Sequence, residues 1–122
     1  MSVKFGGAVR LHSRAEFMAV QQHGRRLASR HFTLLALPNA VAFDRLGIVA
    51  SRRIGSAVIR NTAKRRLREI FRHQEPDTAA AQHAPCLDFV VIAKRELPAV
   101  PFAALEGEFV TALGRLSARC RA

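Results

Sequence analysis

Short runs of apolar residues along the chain predict the strands of a sheet. The runs over 31–37, 45–51 and 87–93 have the length and the Leu, Val, Ile and Phe content of strands. The run over 87–93 is apolar at nearly every position, which is typical of a central strand. Pro38 ends the first run, and residues 25–30 have the length for an additional short strand at the edge of the sheet.

A polar pattern before these strands predicts a helix. Ser13 and Glu16 have the spacing of a capping box, in which the hydroxyl and the carboxylate each accept a hydrogen bond from a free backbone N–H. The helix is therefore predicted to begin at Arg14. Phe17 lies on its apolar face, and Gly24 is placed to end the helix in a left-handed conformation.

Two further helices are predicted from apolar residues at helical spacing. One follows Ser56, a suitable N-cap, and the other begins near Pro101, which suits the first helical position. The first of these is predicted to bury the stripe Ile59, Ala63, Leu67, Ile70 and Phe71. The second is predicted to bury Phe102, Leu105, Phe109, Leu113 and Leu116. The connection over 73–86 contains two prolines and is predicted to be mobile.

Length and charge indicate one domain with a localised anion-binding surface. The chain has 122 residues, 49% of them hydrophobic, so we expect a single domain over 1–122 with an ordered core over about 9–118. Lys and Arg number 20 against 9 acids, and most of the 20 are Arg, whose planar fork grips phosphate oxygens. Fifteen of the 20 lie in residues 1–72 together with only three acids. Nucleic acid is therefore the leading partner.

The same composition argues against several other classes of protein. No apolar run approaches the length of a membrane span, and the first residues lack the apolar core of a signal peptide, so we expect a cytoplasmic protein without a membrane partner. The acids are scattered, and the five His residues show no metal-ligand spacing, so we predict no metal site and no catalytic residue in the protein itself. The sequence makes no prediction about homo-oligomers.

A basic ridge runs along the helix that follows Ser56. Positive residues recur every four positions on the side opposite the apolar stripe. The ridge consists of Arg60, Lys64, Arg68 and Arg72, with Asn61 and Arg65 beside it. Arg52 and Arg53 come just before the helix, and Glu69 is the only acid between Arg52 and the end of the ridge. A solvated helix face is the alternative interpretation, but such faces normally mix both signs of charge.

The segment from Arg52 to Glu69 resembles the signature of the protein subunit of bacterial ribonuclease P. That family has two basic residues, Ile or Val with Gly, an Ala-Val pair, and Arg-Asn-Arg followed by a basic helix. The residues in register are Gly55, Ala57, Val58, Arg60, Asn61, Lys64, Arg65 and Arg68. Thr62 departs from the pattern, because the family usually has Arg there. The resemblance extends over roughly residues 9–118, with elements in the same order.

The resemblance implies a fold and a function. The fold is α/β (α+β), a small single-domain αβββαβα sandwich with a central mixed sheet and a left-handed βαβ crossover, also found in a small-subunit ribosomal protein. The function is that of the protein subunit of a ribonucleoprotein endoribonuclease. It binds the catalytic RNA and the 5′ leader of precursor tRNA, and the RNA removes the leader with Mg²⁺ held by RNA and substrate.

The resemblance also implies roles for individual residues. Residues expected to contact the catalytic RNA are Arg52, Arg53, Arg60, Asn61, Lys64, Arg65 and Arg68. Residues expected in a cleft for the leader are Phe17, Leu35 and Arg53. Without the resemblance, Phe17 is more simply explained as a core residue. Some relatives have aromatic residues where this chain has Gln21 and Leu35, so we expect less base stacking.

Two alternatives use the same basic helix. A structural RNA-binding protein of ribosomal type would need the ridge without any part in RNA processing. A DNA recognition helix is the weaker alternative, because residues 46–51 are predicted as strand, where a helix-turn-helix protein has a short helix and a tight turn.

Overall fold

A computed structural model describes residues 10–41, 43–74 and 86–121. Within these ranges, three helices and four strands follow one another in the predicted order, αβββαβα. They are α1 (Arg14–His23), β1 (Arg25–Ala28), β2 (Phe32–Pro38), β3 (Arg45–Val49), α2 (Ala57–Arg72), β4 (Leu87–Ala93) and α3 (Phe102–Arg121). Short 3₁₀ turns at Arg52–Ile54 and Leu97–Ala99 precede α2 and α3.

The four strands form one mixed sheet in the order β1-β2-β4-β3. β2 pairs antiparallel with both β1 and β4, whereas β3 and β4 are parallel and are joined by the crossover that contains α2. β4 is thus an inner strand with five consecutive buried residues, as its continuous apolar run predicts. The mixed sheet and the three helices confirm the predicted fold class, and the left hand of the crossover stays a prediction.

Each face of the sheet has its own core. α2 and α3 cover one face, where they bury Phe32, Phe89 and Phe109 completely or nearly so. α1 covers part of the other face, where Leu11, Val20, Leu35 and Val90 are buried together. Because side chains alternate along a strand, neighbouring residues of β2 and β4 belong to different cores. Among the described residues, the ten-residue α1 is the one helix over this face, and it leaves part of the face uncovered.

The capping box at the start of α1 is confirmed, and the helix ends at Gly24 as predicted, but the predicted left-handed conformation of Gly24 is wrong. Gly24 has φ −76° and ψ 159°, which is extended backbone, because the chain passes directly into β1 at Arg25. Glycine is needed at position 24 because two backbone carbonyl groups lie close to it. A Cβ at position 24 would lie 2.5 Å from the carbonyl oxygen of Val20 and 2.9 Å from that of Ala36.

Three further predictions are wrong, each at the end of a helix or a strand. Ile59 is 42% exposed, because in the first turn of α2 its side chain lies against Gly55 instead of the core. Phe102 is 39% exposed, because it is the first residue of α3, at the end of the packed stripe. β3 ends at Val49 and not at Ser51, since the chain leaves the sheet for the 3₁₀ turn. The connection predicted to be mobile falls mostly on 75–85, outside the described residues.

Candidate RNA interface

The basic ridge lies on the side of α2 that faces away from the sheet. Ser56 caps the helix, and its hydroxyl accepts a hydrogen bond from the backbone N–H of Ile59 at 3.4 Å. Ala63, Leu67 and Ile70 are buried at no more than 1% exposure and hold the opposite side of α2 against the sheet. The core contacts of α2 therefore leave its basic side available to a partner.

The members of the ridge differ in how firmly they are held. Asn61 and Arg65 are exposed, whereas Arg60, Lys64 and Arg68 are half-buried. The Arg60 guanidinium donates a hydrogen bond to the carbonyl oxygen of Gly55 at 3.2 Å, across the turn that precedes the helix. A half-buried Arg or Lys side chain loses less conformational entropy when it binds an anion than a fully exposed side chain does.

Arg10 joins the ridge although it is distant in sequence. It forms a parallel bridge with Leu46, next to a hydrogen bond of 3.1 Å from the Leu11 N–H to the Leu46 carbonyl. Burial lowers the pKa of the Arg68 guanidinium, and the nearby positive charge of Arg10 lowers it further. Both effects disfavour the charged form, and a bound anion would offset the repulsion from Arg10. No local pattern marks Arg10, because a long-range pairing brings it here.

The far end of the ridge is partly neutralised. Glu69 accepts hydrogen bonds from Arg72 at 2.9 and 3.0 Å, and its Oε2 lies 2.8 Å from His73 Nε2. Arg66, on another side of α2, donates to the carbonyl of Val100 at 3.0 Å. Within the described ranges, no salt bridge involves Arg60, Lys64, Arg65 or Arg68. The unneutralised charge of the ridge therefore lies between Arg60 and Arg68.

A tight turn places Arg52 and Arg53 next to the start of the ridge. Both side chains are exposed in the 3₁₀ turn between β3 and α2. Gly55 ends this turn with φ 151°, a conformation that residues with a Cβ rarely adopt. A Cβ there would also lie 3.0 Å from Ile59 Cδ1. The structure thus brings the seven residues expected to contact the catalytic RNA to α2 and the turn before it.

The residues expected to contact the leader are found at different depths. Phe17 is half-buried on α1, and its ring lies against Gly47 of β3. Leu35 is 1% exposed and lies beneath α1, so it supports the cleft from below instead of touching a ligand. Arg53 lies in the exposed turn beyond the end of β3 and is not part of this apolar cluster.

A row of half-buried side chains extends beside α1. The strand register aligns Leu35, Val90 and Gly47 in a row across the sheet, and all three are buried. Two residues further along the strands, Thr33, Ile92 and Val49 form a second row on the same face, and these three are only half-buried. We call this second row the open strip.

The open strip lies between α1 and the 3₁₀ turn, because β3 continues from Val49 towards Arg52 and Arg53. The sequence alone does not predict this strip. Alternation along β3 and β4 marks Val49 and Ile92 as belonging to one face, but it does not show that α1 leaves them uncovered.

The described residues contain neither a cluster of metal ligands nor a helix that could span a membrane. Among residues 10–41, 43–74 and 86–121, no three His, Cys, Asp or Glu side chains lie together as metal ligands. No helix in those ranges combines the length and the apolar character that a membrane span requires.

Comparisons with known proteins identify the family of this chain. The family model for ribonuclease P matches residues 5–117. The ribonuclease P protein component of Citrifermentans bemidjiense is 33% identical over 115 residues, which cover 94% of each chain. That of Syntrophus aciditrophicus is 36% identical over 94 residues, covering 77% of this chain and 75% of the relative.

Solved structures of RNase P proteins superpose on this chain. The RNase P protein of Staphylococcus aureus superposes with a TM-score of 0.74 at 27% identity, covering 94% of this chain and 99% of that one. The RNase P protein of Thermotoga maritima has a TM-score of 0.72 at 32% identity, with 87% and 96% covered. The chain therefore belongs to the ribonuclease P protein family, and as such it is the protein part of an endoribonuclease that has an RNA partner.

Proposed function

We propose that this chain binds the catalytic RNA of ribonuclease P through the basic ridge and the 5′ leader of precursor tRNA through the open strip. The RNA then removes the leader to give the mature 5′ end. The observation that carries this proposal is the placement of two different surfaces on either side of the turn at Arg52–Ile54. A charged helix lies on one side, and a partly apolar sheet surface lies on the other.

The ridge has the chemistry that folded RNA requires. Its cations are spaced one helical turn apart, about 5–6 Å, which suits successive phosphates along an RNA strand. Arg60 and Arg68 present forked donors for phosphate oxygens, and Asn61 supplies an amide that can both donate and accept hydrogen bonds. Each phosphate contact releases counterions, so binding here is expected to weaken steeply with salt.

The open strip has the chemistry that a single strand requires. Unpaired bases stack on aromatic rings and pack on apolar surfaces, while nearby cations hold the backbone. Phe17 supplies the ring, Val49 and Ile92 supply the apolar floor, and Arg53 supplies a cation where β3 ends. With no Tyr or Trp in the chain, affinity for the leader depends on few stacking contacts.

We assign the chemical step to the RNA. The protein's part is to bind and orient, and we propose that Mg²⁺ is held by phosphates of the RNA and the substrate. Mg²⁺ keeps several of its waters and commonly binds phosphate oxygens together with few other ligands, which suits such a site. We place this activity in the cytoplasm, where bacterial tRNA precursors are made.

The alternative, a structural RNA-binding protein of ribosomal type, makes a different prediction about substrates. It has no reason to distinguish a precursor tRNA from the same tRNA without its leader. We expect the complex of this chain with ribonuclease P RNA to bind the precursor more tightly than the mature tRNA. Replacing Phe17 by Ala should reduce that difference, since a stacked base contributes about 1–3 kcal/mol. Equal losses for the two tRNAs would refute the role of the open strip.

A further inference from the structure

Arg45 connects three parts of the molecule near the start of α1, on the side of the Gly47 row away from the open strip. It lies in β3, and its side chain is 17% exposed. Its Nε and Nη2 donate to the two carboxylate oxygens of Asp88 in β4, both at 2.8 Å. Its remaining nitrogen, Nη1, donates to Glu16 Oε2 in α1 at 2.9 Å. One guanidinium thus ties the first turn of α1 to two neighbouring strands.

Asp88 provides a fixed base for this connection. Its side chain is 10% exposed, and its Oδ1 also accepts a hydrogen bond of 2.7 Å from Asn39 Nδ2. A fork-to-carboxylate pair with a further donor restricts the guanidinium to one orientation. Nη1 of Arg45, which binds Glu16, is therefore held in one position above the sheet.

Glu16 carries this connection into the helix. Its Oε1 accepts hydrogen bonds from the backbone N–H groups of His12 at 3.1 Å and Ser13 at 3.2 Å, while its Oε2 binds Arg45. The carboxylate that caps α1 is the same one that anchors α1 to β3. Displacing Arg45 would therefore affect both the position of the helix and its first turn.

Phe17 follows Glu16 directly, and its ring lies against Gly47, two residues beyond Arg45 on the same face of β3. Two successive residues of α1 thus contact two successive same-face residues of β3, one through charge and one through packing. We propose that Arg45 is a positioning residue for the leader. It holds α1 at the height and rotation that keep Phe17 beside the open strip.

This inference rests on the proposed function, because it takes the leader as the ligand. It is tested in the complex of the full chain with ribonuclease P RNA. The quantity measured is the leader preference, which is the dissociation constant for mature tRNA divided by that for precursor tRNA. Arg45→Met and Phe17→Ala are compared singly and together. Arg119→Met, an exposed arginine of α3, is the control with the same loss of charge.

We expect Arg45→Met to lower the leader preference at least about fivefold, which corresponds to the lower end of one base-stacking contact. Affinity for ribonuclease P RNA should change less than about twofold, and Arg119→Met should leave the preference unchanged. The double variant should lose no more than Phe17→Ala alone, since both changes remove the same contact. Additive losses, or an unchanged preference in Arg45→Met, would overturn the inference.

Arg45→Met leaves Asp88 without its main partner, so a second variant guards against a general loss of folding. Glu16→Gln keeps a residue that suits the capping box, but it removes the negative charge that binds Arg45. A lower leader preference with an intact thermal melt supports the positioning role, and an unchanged preference contradicts it. A wild-type complex without any leader preference would instead overturn the proposed function together with this inference.

Discussion

The ring of Phe17 occupies the space above Gly47 that a side chain at position 47 would fill. A Cβ built there would lie 2.5 Å from both Cε1 and Cζ of Phe17. Glycine at this position of β3 therefore lets the ring approach the sheet closely. Because Phe17 is only half-buried, it takes part in the core beneath α1 and also remains accessible beside the open strip.

Gly47→Ala is predicted to push the Phe17 ring away from the sheet. We expect a lower melting temperature and a lower leader preference, because the added methyl group overlaps the ring. Gly107→Ala in α3 is the matched control, since nothing lies within 4 Å of a Cβ at that exposed helical position. That change should stabilise the protein by about 0.5–1 kcal/mol. Equal thermal melts for the two variants would contradict the packing described here.

The basic ridge is predicted to contribute affinity for RNA and little stability. Changing Arg60, Lys64 and Arg68 together to Ala should weaken binding of ribonuclease P RNA. The slope of log K against log salt should fall by up to about 0.9 per lost phosphate contact, taking the value for duplex DNA as a guide. Replacing Arg25, Arg26 and Arg119, three exposed residues elsewhere, is the control with the same charge. If the slope decreases equally in both triple variants, the ridge has no special role in RNA binding.

Thr62 is predicted to leave room for one more contact with RNA. Its hydroxyl donates to the carbonyl oxygen of Val58 at 2.9 Å within the helix, so it is already used in a local hydrogen bond. Thr62→Arg adds a cation beside Asn61, and Arg has the higher helix propensity. We expect tighter binding of ribonuclease P RNA and a salt slope steeper by about 0.9. An unchanged slope would show that RNA does not reach this position.

A cluster around Glu108 is predicted to make stability depend on pH. Glu108 accepts hydrogen bonds from the Ser29 hydroxyl and from the His31 N–H at 2.9 Å, which joins the β1–β2 turn to α3. Burial acts to raise the pKa of Glu108, but the hydrogen bonds from His31 and Ser29 outweigh it and hold the pKa below the usual 4.5.

A carboxyl group whose pKa is lowered by folding stabilises the protein at pH values above its pKa in the unfolded state. This stability is lost as the pH falls through its pKa in the folded state. The wild-type melting temperature should therefore fall more between pH 6 and pH 3 than that of Glu108→Gln. Parallel curves for the two proteins would contradict this role of the carboxylate.

Local patterns were sufficient to predict most of the fold. The capping box at Ser13 and Glu16, the central strand over 87–93 and the buried centre of the α2 stripe, Ala63, Leu67 and Ile70, all depend on nearby residues, and each is confirmed. The conformation of Gly24 and the burial of Ile59 are predicted wrongly, because contacts outside each segment decide them. The carbonyl oxygen of Ala36, which lies 2.9 Å from where a Cβ at position 24 would be, comes from another part of the chain and has no local signature.

The candidate site was less predictable than the fold. The ridge follows from helical spacing, but Arg10 and Arg45 reach their places through pairings with residues far along the chain. The resemblance predicts Leu35 in the cleft for the leader, yet Leu35 is 1% exposed and lies in the core beneath α1. Which row of the sheet is covered and which is open depends on where α1 rests, and no single segment encodes that position.

The most direct test of the proposed function is the rate at which ribonuclease P RNA cleaves precursor tRNA at low Mg²⁺, with and without this chain. Binding of the leader and neutralisation of phosphate charge should both help most when Mg²⁺ is scarce. We predict faster removal of the leader when the protein is present. An unchanged rate, together with tight binding to ribosomal RNA, would contradict a role in tRNA processing and favour the structural alternative.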